Sequence, residues 1–191
     1  GQYVGDPSWG KRLDSIKNGG SVNRILFSVG SGGTQDYTNI MDLINAYGTG
    51  PSSILYQNFR ALLDAIPAID GIDMDDEDNY DQNTIVSFAQ MLGDMGYKEV
   101  TFCPYFDMGF WAGCLAALES SHPGLVTAYN LQCYSGGAGN LNNVQGWINS
   151  VASIKGNQAA EFIVPGLWCQ HGQGCNQGMS AAEIQGQFHG W

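Results

Sequence analysis

Basic residues are scarce in this sequence. Lysine and arginine together number 7, against 18 aspartates and glutamates, and the formal net charge is −11 at pH 7. A protein of that charge is repelled by the phosphates of nucleic acids and of anionic membranes, so we expect neither as a partner. The chain also lacks any apolar run near the roughly 20 residues that a membrane-spanning helix needs. We therefore expect a soluble protein.

Sequence motifs for phosphate-bearing cofactors are missing as well. The glycine-rich run at 30–33 follows a predicted strand, but no Gly-x-Gly-x-x-Gly opens a helix there. Gly10-Lys11 has neither the upstream glycine nor the preceding strand of a phosphate-binding loop. We expect no cofactor, and we interpret residues 30–50 as an extended loop between a strand and a helix.

Cysteines are few and odd in number. Five cysteines in a glycine-rich, acidic chain favour a secreted, extracellular protein, and at least one thiol has no partner within the chain. Cys169 and Cys175 could close a local disulfide loop. His171 lies between them, so a metal site is the alternative, but a structural zinc site needs four ligands at tight paired spacings and the chain offers no second pair. We expect no metal.

Strand-like and helix-like patterns alternate along the chain. Short runs rich in β-branched and aromatic residues lie at 24–28, 71–75, 99–104, 127–134 and 161–167. Apolar residues at three- and four-residue spacing predict helices at 54–66, 83–95, 110–119, 144–154 and 181–188. Asp81 is a predicted N-cap of the second helix, and Gly96 is its predicted stop. This alternation predicts a single α/β domain over residues 1–191, built on a parallel sheet that is either doubly wound or a (β/α)8 barrel.

Acidic residues are concentrated in the segment 70–77, Asp-Gly-Ile-Asp-Met-Asp-Asp-Glu. Because side chains alternate along a strand, Asp73, Asp75 and Glu77 share one face and the apolar residues between them take the other. In a barrel the acidic face points inward and rises to the carboxyl end of the strand. Carboxylates this close cannot all ionise at neutral pH, so at least one pKa must rise. The segment therefore predicts a proton-transfer site.

Two other interpretations of the acidic segment are less favoured. A calcium-binding loop needs a glycine for its sharp turn, and Asp78 stands at the position after Glu77 where that glycine would be. A solvated acidic loop does not explain why Ile72 and Met74 alternate so regularly with the acidic residues.

The acidic segment resembles the Asp-x-x-Asp-x-Asp-x-Glu signature of glycoside hydrolase family 18, which includes chitinases and some endo-β-N-acetylglucosaminidases. Asp70, Asp73, Asp75 and Glu77 match all four positions. Two further strands agree. Residues 27–30 are similar to the Ser-x-Gly-Gly strand of the family, with Ser31 in place of the second glycine, and residues 131–134 are similar to its Gln-x-Tyr strand.

The resemblance implies hydrolysis with retention in which the substrate's own N-acetyl group attacks the anomeric carbon. It implies that Glu77 is the proton donor and that Asp75 and Tyr134 orient the acetamido group. Asp73 shares a proton with Asp75, and Asp70 fixes the strand or a neighbouring loop. The expected substrate-binding residues are Gln132, Trp168 and Tyr105. Tyr37 is a further aromatic candidate, because it falls in a predicted loop where sugar rings could stack on it. The expected partner is chitin or another oligosaccharide that contains N-acetylglucosamine.

The number of predicted strands does not complete a barrel. Five strands are recognisable, whereas a (β/α)8 barrel has eight and typically about 250 residues. The chain begins with Gly1 and not Met, and we expect it to be truncated at both ends, to be completed by another chain, or to be a reduced sugar-binding domain. Three functions follow from the resemblance: a chitinase, an endo-β-N-acetylglucosaminidase acting on N-glycan cores, or a catalytically silent lectin-like relative.

Overall fold

The computed structural model describes residues 1–169 and 178–190, and it has an α/β architecture built on one parallel sheet. The sheet contains five strands in the described part of the chain. They are β1 (Leu26–Gly30), β2 (Gly71–Asp75), β3 (Glu99–Phe102), β4 (Val126–Gln132) and β5 (Ile163–Gly166). Neighbouring strands pair in parallel, and their spatial order is the same as their order in the sequence.

Helices lie between the strands and before and after the sheet. They are α1 (Trp9–Gly19), α2 (Asp36–Tyr47), α3 (Ile54–Ala65), α4 (Gln82–Met95), α5 (Met108–Ser121), α6 (Val144–Lys155), α7 (Ala159–Phe162) and α8 (Ala181–Gly190). Two 3₁₀ segments, Ser135–Asn142 and Gly156–Gln158, flank α6. In the described ranges no helix combines the length and the apolar composition needed to cross a membrane.

The predicted elements agree closely with the structure. Each of the five predicted strands and five predicted helices is present, and the ends differ from the prediction by at most two residues. Asp81 caps α4 by accepting a hydrogen bond from the N–H of Thr84, and Gly96 ends that helix in a left-handed conformation. The two end signals of α4 are therefore confirmed.

The prediction of an extended loop over residues 30–50 is wrong for most of its length. Residues Asp36–Tyr47 form α2, and α1 near the start of the chain was also not predicted. Helix α2 lacks a side-chain cap, because Gln35 precedes it in a left-handed conformation without capping its backbone. Tyr37 and Ile40 nevertheless bury one side of it in the core. Packing stabilises this helix in the absence of a sequence signal at its start.

The hydrophobic core lies on one face of the sheet. Ile72 and Met74 of β2 are fully buried there, in one cluster with Phe88 and Leu92 of α4. The opposite face is polar and includes Asp73, whose register partner on β3 is Thr101. The predicted alternation of apolar and acidic residues along β2 is therefore confirmed.

Asp70, just before β2, ties three parts of the chain together. Its carboxylate accepts hydrogen bonds from Lys17 of α1 at 2.6 Å, from Lys98 at 2.8 Å and from the N–H of Ile25 at 2.9 Å. Although burial raises the pKa of Asp70, these three donors lower it to about 2. These bonds agree with the expectation that Asp70 fixes the strand or a neighbouring loop.

The order of the strands bears on the two predicted sheet types. A doubly wound sheet reverses its strand order at one point, and ligands bind in the crevice formed there. Among the described strands the order runs from β1 to β5 without a reversal. Ligand binding at such a crevice therefore has no support in this sheet.

Candidate active site

Polar side chains converge at the carboxyl ends of β2, β3 and β4. Strand β2 ends at Asp75, and Glu77 follows two residues later. Asp75 is the register partner of Gly30 at the end of β1, and Gln132 ends β4. Because parallel strands end at the same edge of a sheet, these groups lie together at one rim.

Of Asp73, Asp75 and Glu77, Asp73 lies farthest from the rim at the carboxyl end of β2. Its carboxylate accepts hydrogen bonds from Ser28 Oγ at 3.0 Å, from Thr101 Oγ1 at 2.5 Å and from Asn130 Nδ2 at 2.8 Å. The Asn130 amide also donates to Thr101 Oγ1 at 3.2 Å. Three donors from three different strands therefore fix the position of the Asp73 carboxylate.

Gln132 connects the other two acidic residues. Its Nε2 donates to Asp75 Oδ1 at 3.0 Å, to Glu77 Oε1 at 3.3 Å and to the carbonyl oxygen of Cys103 at 3.1 Å. The side chain is almost completely buried. A single amide thus fixes the positions of both carboxyl groups relative to the end of β3.

Crowding changes the acidity of Asp75. Burial raises its pKa most, and the neighbouring charges of Glu77 and Asp73 raise it further, to about 6. The expectation that at least one of these carboxyl groups has a raised pKa is confirmed at Asp75. The contacts of Asp73 run to Ser28, Thr101 and Asn130, so its influence on Asp75 is exerted through its charge.

The loop after β1 lies directly against these carboxyl groups. A Cβ on Gly30 would lie 2.1 Å from the carbonyl oxygen of Asp75, so no larger residue fits there. A Cβ on Gly32 would lie 3.2 Å from Glu77 Oε2. Between them, Ser31 has a φ of 141°, a backbone conformation that favours glycine. The loop therefore carries backbone strain where it borders the site.

Tyr134 and Trp168 form an aromatic wall beside the carboxyl groups. Their ring centroids are 6.0 Å apart, with the planes at 61°. With Ser135 and Leu167 they line a cavity of about 300 Å³. Burial raises the pKa of Tyr134 to about 12, with smaller contributions from Cys103 and then from Asp75, Glu77 and Asp73. The structure thus brings Tyr134 and Trp168 together at the rim that carries Asp75 and Glu77.

Tyr105 lies farther along the same rim, after β3. Its ring contacts Tyr80, with centroids 6.3 Å apart, and Phe106, with centroids 5.8 Å apart. Phe106 is 53% exposed and was not singled out from the sequence. It offers an apolar face beside Tyr105, of the kind on which sugar rings stack.

Tyr37 does not belong to the site surface. The sequence suggested it as an exposed aromatic residue of the cleft, but it has no solvent exposure and its ring packs edge-on against Phe88, with centroids 6.3 Å apart. Tyr37 lies in α2 and not in a loop, and its side chain points into the core, next to Gly30. The sequence interpretation of Tyr37 is therefore wrong.

A buried asparagine that the sequence did not indicate braces the rim. Asn140 donates from Nδ2 to the carbonyl oxygens of Tyr105 and of Gln132, both at 2.8 Å. Its Oδ1 accepts a hydrogen bond from Trp147 Nε1 at 2.8 Å. Asn140 thus locks the end of β3 to the end of β4 and to α6. Its setting in the glycine-rich Ser135–Asn142 segment gives no sequence signal of this role.

Metal ligands are not grouped in residues 1–169 and 178–190, where no three His, Cys, Asp or Glu side chains are arranged to hold an ion. His171 and Cys175, the residues considered for a disulfide or a metal site with Cys169, lie outside the described residues.

Comparisons with known proteins add no relative to this picture. No family model, no curated protein and no solved structure matches the chain. The assignment of a function therefore depends on the residues and geometry of the site itself.

Proposed function

We propose that this chain is a glycoside hydrolase of the family 18 type that cleaves β-1,4-linked N-acetylglucosamine polymers such as chitin, with retention of configuration. The observation that carries the proposal is the arrangement of Asp75 and Glu77, which share the amide of Gln132 at the carboxyl end of β2. A carboxyl pair held at one rim of a parallel sheet suits acid–base chemistry on a bound polymer.

Glu77 acts first, as the general acid. Its carboxyl group donates a proton to the glycosidic oxygen while the carbonyl oxygen of the substrate's N-acetyl group attacks the anomeric carbon and breaks the glycosidic bond. The resulting carboxylate then takes a proton from the water that opens the cyclic intermediate, so the enzyme ends the cycle in its starting state. No carboxylate of the protein bonds to the sugar.

Asp75 orients the acetamido group during this attack. Its carboxyl group shares the Gln132 amide with Glu77, and its pKa of about 6 leaves it able to hold or release a proton near neutral pH. An ionised Asp75 accepts the N–H of the acetamido group and stabilises the positive charge of the cyclic intermediate. Asp73, fixed by its three donors, keeps a second negative charge nearby.

The aromatic wall supplies the surface for the sugar. Tyr134 and Trp168 line a cavity of about 300 Å³, and Tyr134 lies near enough to Asp75 and Glu77 for their charges to raise its pKa. The hydroxyl of Tyr134 is available to hydrogen-bond the acetamido carbonyl, and the ring of Trp168 offers a face for stacking. Such polymers occur outside cells, which agrees with our proposal of a secreted protein.

The order of the strands supports a barrel-like arrangement for this sheet. Five parallel strands follow one another in sequence order, with the apolar core on one face and polar residues on the other. In a (β/α)8 barrel the strands follow in this order, the helices cover the outer face and the active site lies at the carboxyl ends. We therefore propose that the sheet is an arc of such a barrel.

Replacement of the acid tests the proposal. We expect the wild-type chain to hydrolyse chitin oligosaccharides and not the corresponding glucose oligosaccharides, which lack the acetamido nucleophile. Glu77→Gln should reduce turnover below about 1% of wild type, because shape is kept and only the proton is lost. Its affinity for the oligosaccharide, measured by calorimetry, should stay nearly unchanged. Glu161→Gln, at an exposed glutamate of α7, is the matched control and should retain full activity.

Different outcomes point to different errors. Cleavage of glucose oligosaccharides at a comparable rate would refute the substrate-assisted mechanism. Binding without turnover in the wild-type chain would favour a lectin-like role, and cleavage of N-glycan cores in place of chitin would favour the endoglycosidase. A thiazoline analogue of the cyclic intermediate should compete with the substrate, because it reproduces the shape formed only during the reaction.

A further inference from the structure

Asp76, between Asp75 and Glu77, is a buried carboxylate that the proposed mechanism does not use. It is the first residue after β2 and is 1% exposed. Its Oδ1 accepts the N–H groups of Asp78 at 3.1 Å and Asn79 at 3.0 Å, and its Oδ2 accepts the N–H of Tyr80 at 3.0 Å. The backbone that follows Glu77 therefore folds around this side chain.

The turn and the carboxylate depend on each other. A buried carboxylate is costly unless hydrogen bonds replace its hydration, and here backbone N–H groups supply them. The turn in its own right is unfavourable at Tyr80, which has a φ of 52° in the left-handed region. Opening the turn would leave the Asp76 carboxylate without these three donors, so the two features stabilise each other.

The far side of the turn is anchored to α2. Thr38 Oγ1 donates to Asp78 Oδ2 at 3.2 Å, and Asn79 Nδ2 donates to the carbonyl oxygen of Tyr37 at 3.4 Å. These bonds fix the direction in which the chain leaves the strand. Glu77 is thus held between the end of β2 and a turn whose centre is the Asp76 carboxylate.

We propose that Asp76 is a positioning residue for Glu77. By closing the 77–80 turn, its carboxylate holds the Glu77 backbone so that the Glu77 carboxyl group lies at the Gln132 amide and faces the substrate. The effect of Asp76 on turnover rests on the proposed function, whereas its effect on the position of Glu77 does not. A displacement of about 1 Å at a reacting group costs on the order of a hundredfold in rate, so a loosened turn is expected to be visible in turnover.

The test compares two substrates that differ in their need for a proton. A sugar leaving group must be protonated by Glu77, whereas a nitrophenolate leaves without a proton. Asp76→Ala should lower kcat/KM on a chitin oligosaccharide by about a hundredfold and on a nitrophenyl chitobioside by less than about tenfold, because kcat/KM reports cleavage of the glycosidic bond and not the later water step in which Glu77 is the base. Asp76→Asn, which keeps the volume and one acceptor oxygen, should fall between wild type and Asp76→Ala.

Asp81→Ala is the matched control. Asp81 is also a carboxylate with a backbone bond, but it caps α4 through the N–H of Thr84 at 2.7 Å and lies outside the turn. Its replacement destabilises the fold without releasing Glu77, so any loss of activity should be the same for both substrates. Equal losses on the two substrates in both Asp76 variants would overturn the proposal.

A second measurement does not depend on activity. In the two Asp76 variants, but not in Asp81→Ala, the ¹³C signal of the Glu77 carboxyl group should shift and the amides of Asp78, Asn79 and Tyr80 should exchange faster with solvent. If the wild-type chain cleaves neither substrate, the proposed function fails, and these spectra still decide the role of Asp76. Unchanged Glu77 and amide signals in both Asp76 variants would refute that role.

Discussion

At the residue scale, Asp75 shows how crowding sets the chemistry of the site. Its pKa rises to about 6 because it is buried and because Glu77 and Asp73 add negative charge nearby. The folded protein thus holds a proton on Asp75 at pH values where the unfolded chain has already released it. Ionising this residue therefore destabilises the fold, although the proposed mechanism uses its ionised form.

Asp75→Asn should remove this cost. The stability that comes from the protonated side chain is complete below the ordinary pKa of 3.8 and is lost as the pH rises through about 6. The variant lacks the titration, so its advantage over wild type in the free energy of unfolding should grow between these pH values. The advantage should level off near 1–2 kcal/mol at pH 7, a value reduced because solvent reaches part of the site.

Denaturant unfolding of both proteins at four pH values across this range checks the prediction, together with activity, which the variant should lose. A difference in stability that does not change with pH would show that Asp75 does not titrate in this window.

The residues that sequence reasoning found and missed differ in how they act. Asp73 and Asp75 were accessible because strand periodicity places them on one face, and Gln132 stands at the end of a recognisable strand. Asp76 and Asn140 act on backbone groups that turns bring to them. A local sequence pattern does not show which backbone groups a turn will bring next to a side chain. The roles of Asp76 and Asn140 are therefore visible only in the structure.

At the scale of elements, Asp70 is the point where α1, β1 and the approach to β3 are joined. Lys17 reaches it from α1, Lys98 from just before β3, and the N–H of Ile25 from just before β1. Only 7% of its side chain is exposed. The order of the elements around β2 therefore depends on one nearly buried carboxylate.

Asp70→Asn should lower the free energy of unfolding by about 2–4 kcal/mol at pH 7, because the amide keeps the shape but removes the charge that pairs with two lysines. The effect should shrink as the pH falls from 3.8 toward 2, because the unfolded wild-type chain takes up a proton at Asp70 in this range while the folded chain keeps the carboxylate ionised down to its pKa of about 2. The exposed pair of Arg60 and Asp64 supplies the control, and Asp64→Asn should leave the free energy of unfolding nearly unchanged.

Urea unfolding of the two variants and of wild type measures these differences. Equal losses in Asp70→Asn and Asp64→Asn would contradict the role given to Asp70.

Element predictions succeeded where several local signals agreed. Helix α4 has an apolar face, a capping aspartate and a terminating glycine, and its bounds differ from the prediction by one residue. Helix α2 has polar and β-branched residues and no capping side chain, so its sequence favours a loop and the burial of Tyr37 and Ile40 decides the outcome. Tertiary packing supplied what the local sequence did not contain.

At the scale of the whole molecule, the two edges of the sheet differ. Strand β5 contains Pro165, which lacks an N–H and so weakens pairing with another strand. Strand β1 has the sequence Leu-Phe-Ser-Val-Gly, with neither a proline nor a charge. The alternation of strands and helices predicted a parallel sheet correctly. Whether another strand pairs with the outer edge of β1 depends on the whole fold, so no local sequence pattern predicts it.

The edge of β1 should therefore promote self-association. It adjoins a cavity of about 390 Å³ whose lining includes Val29, Leu43 and Phe59, so a strand placed there would gain both backbone hydrogen bonds and apolar contact. We expect the 191-residue chain to sediment as a dimer or a larger species at micromolar concentration, and Asn39→Lys to shift it toward the monomer. Asn39 is exposed in the lining of this cavity, and a lysine there would bring a charge to the surface that an added strand would cover. Ser21→Lys adds the same charge at an exposed position before the strand and should leave the association unchanged.

A monomeric wild-type chain would show that the β1 edge is protected in solution, whereas equal effects of the two lysines would attribute the association to net charge and not to strand pairing.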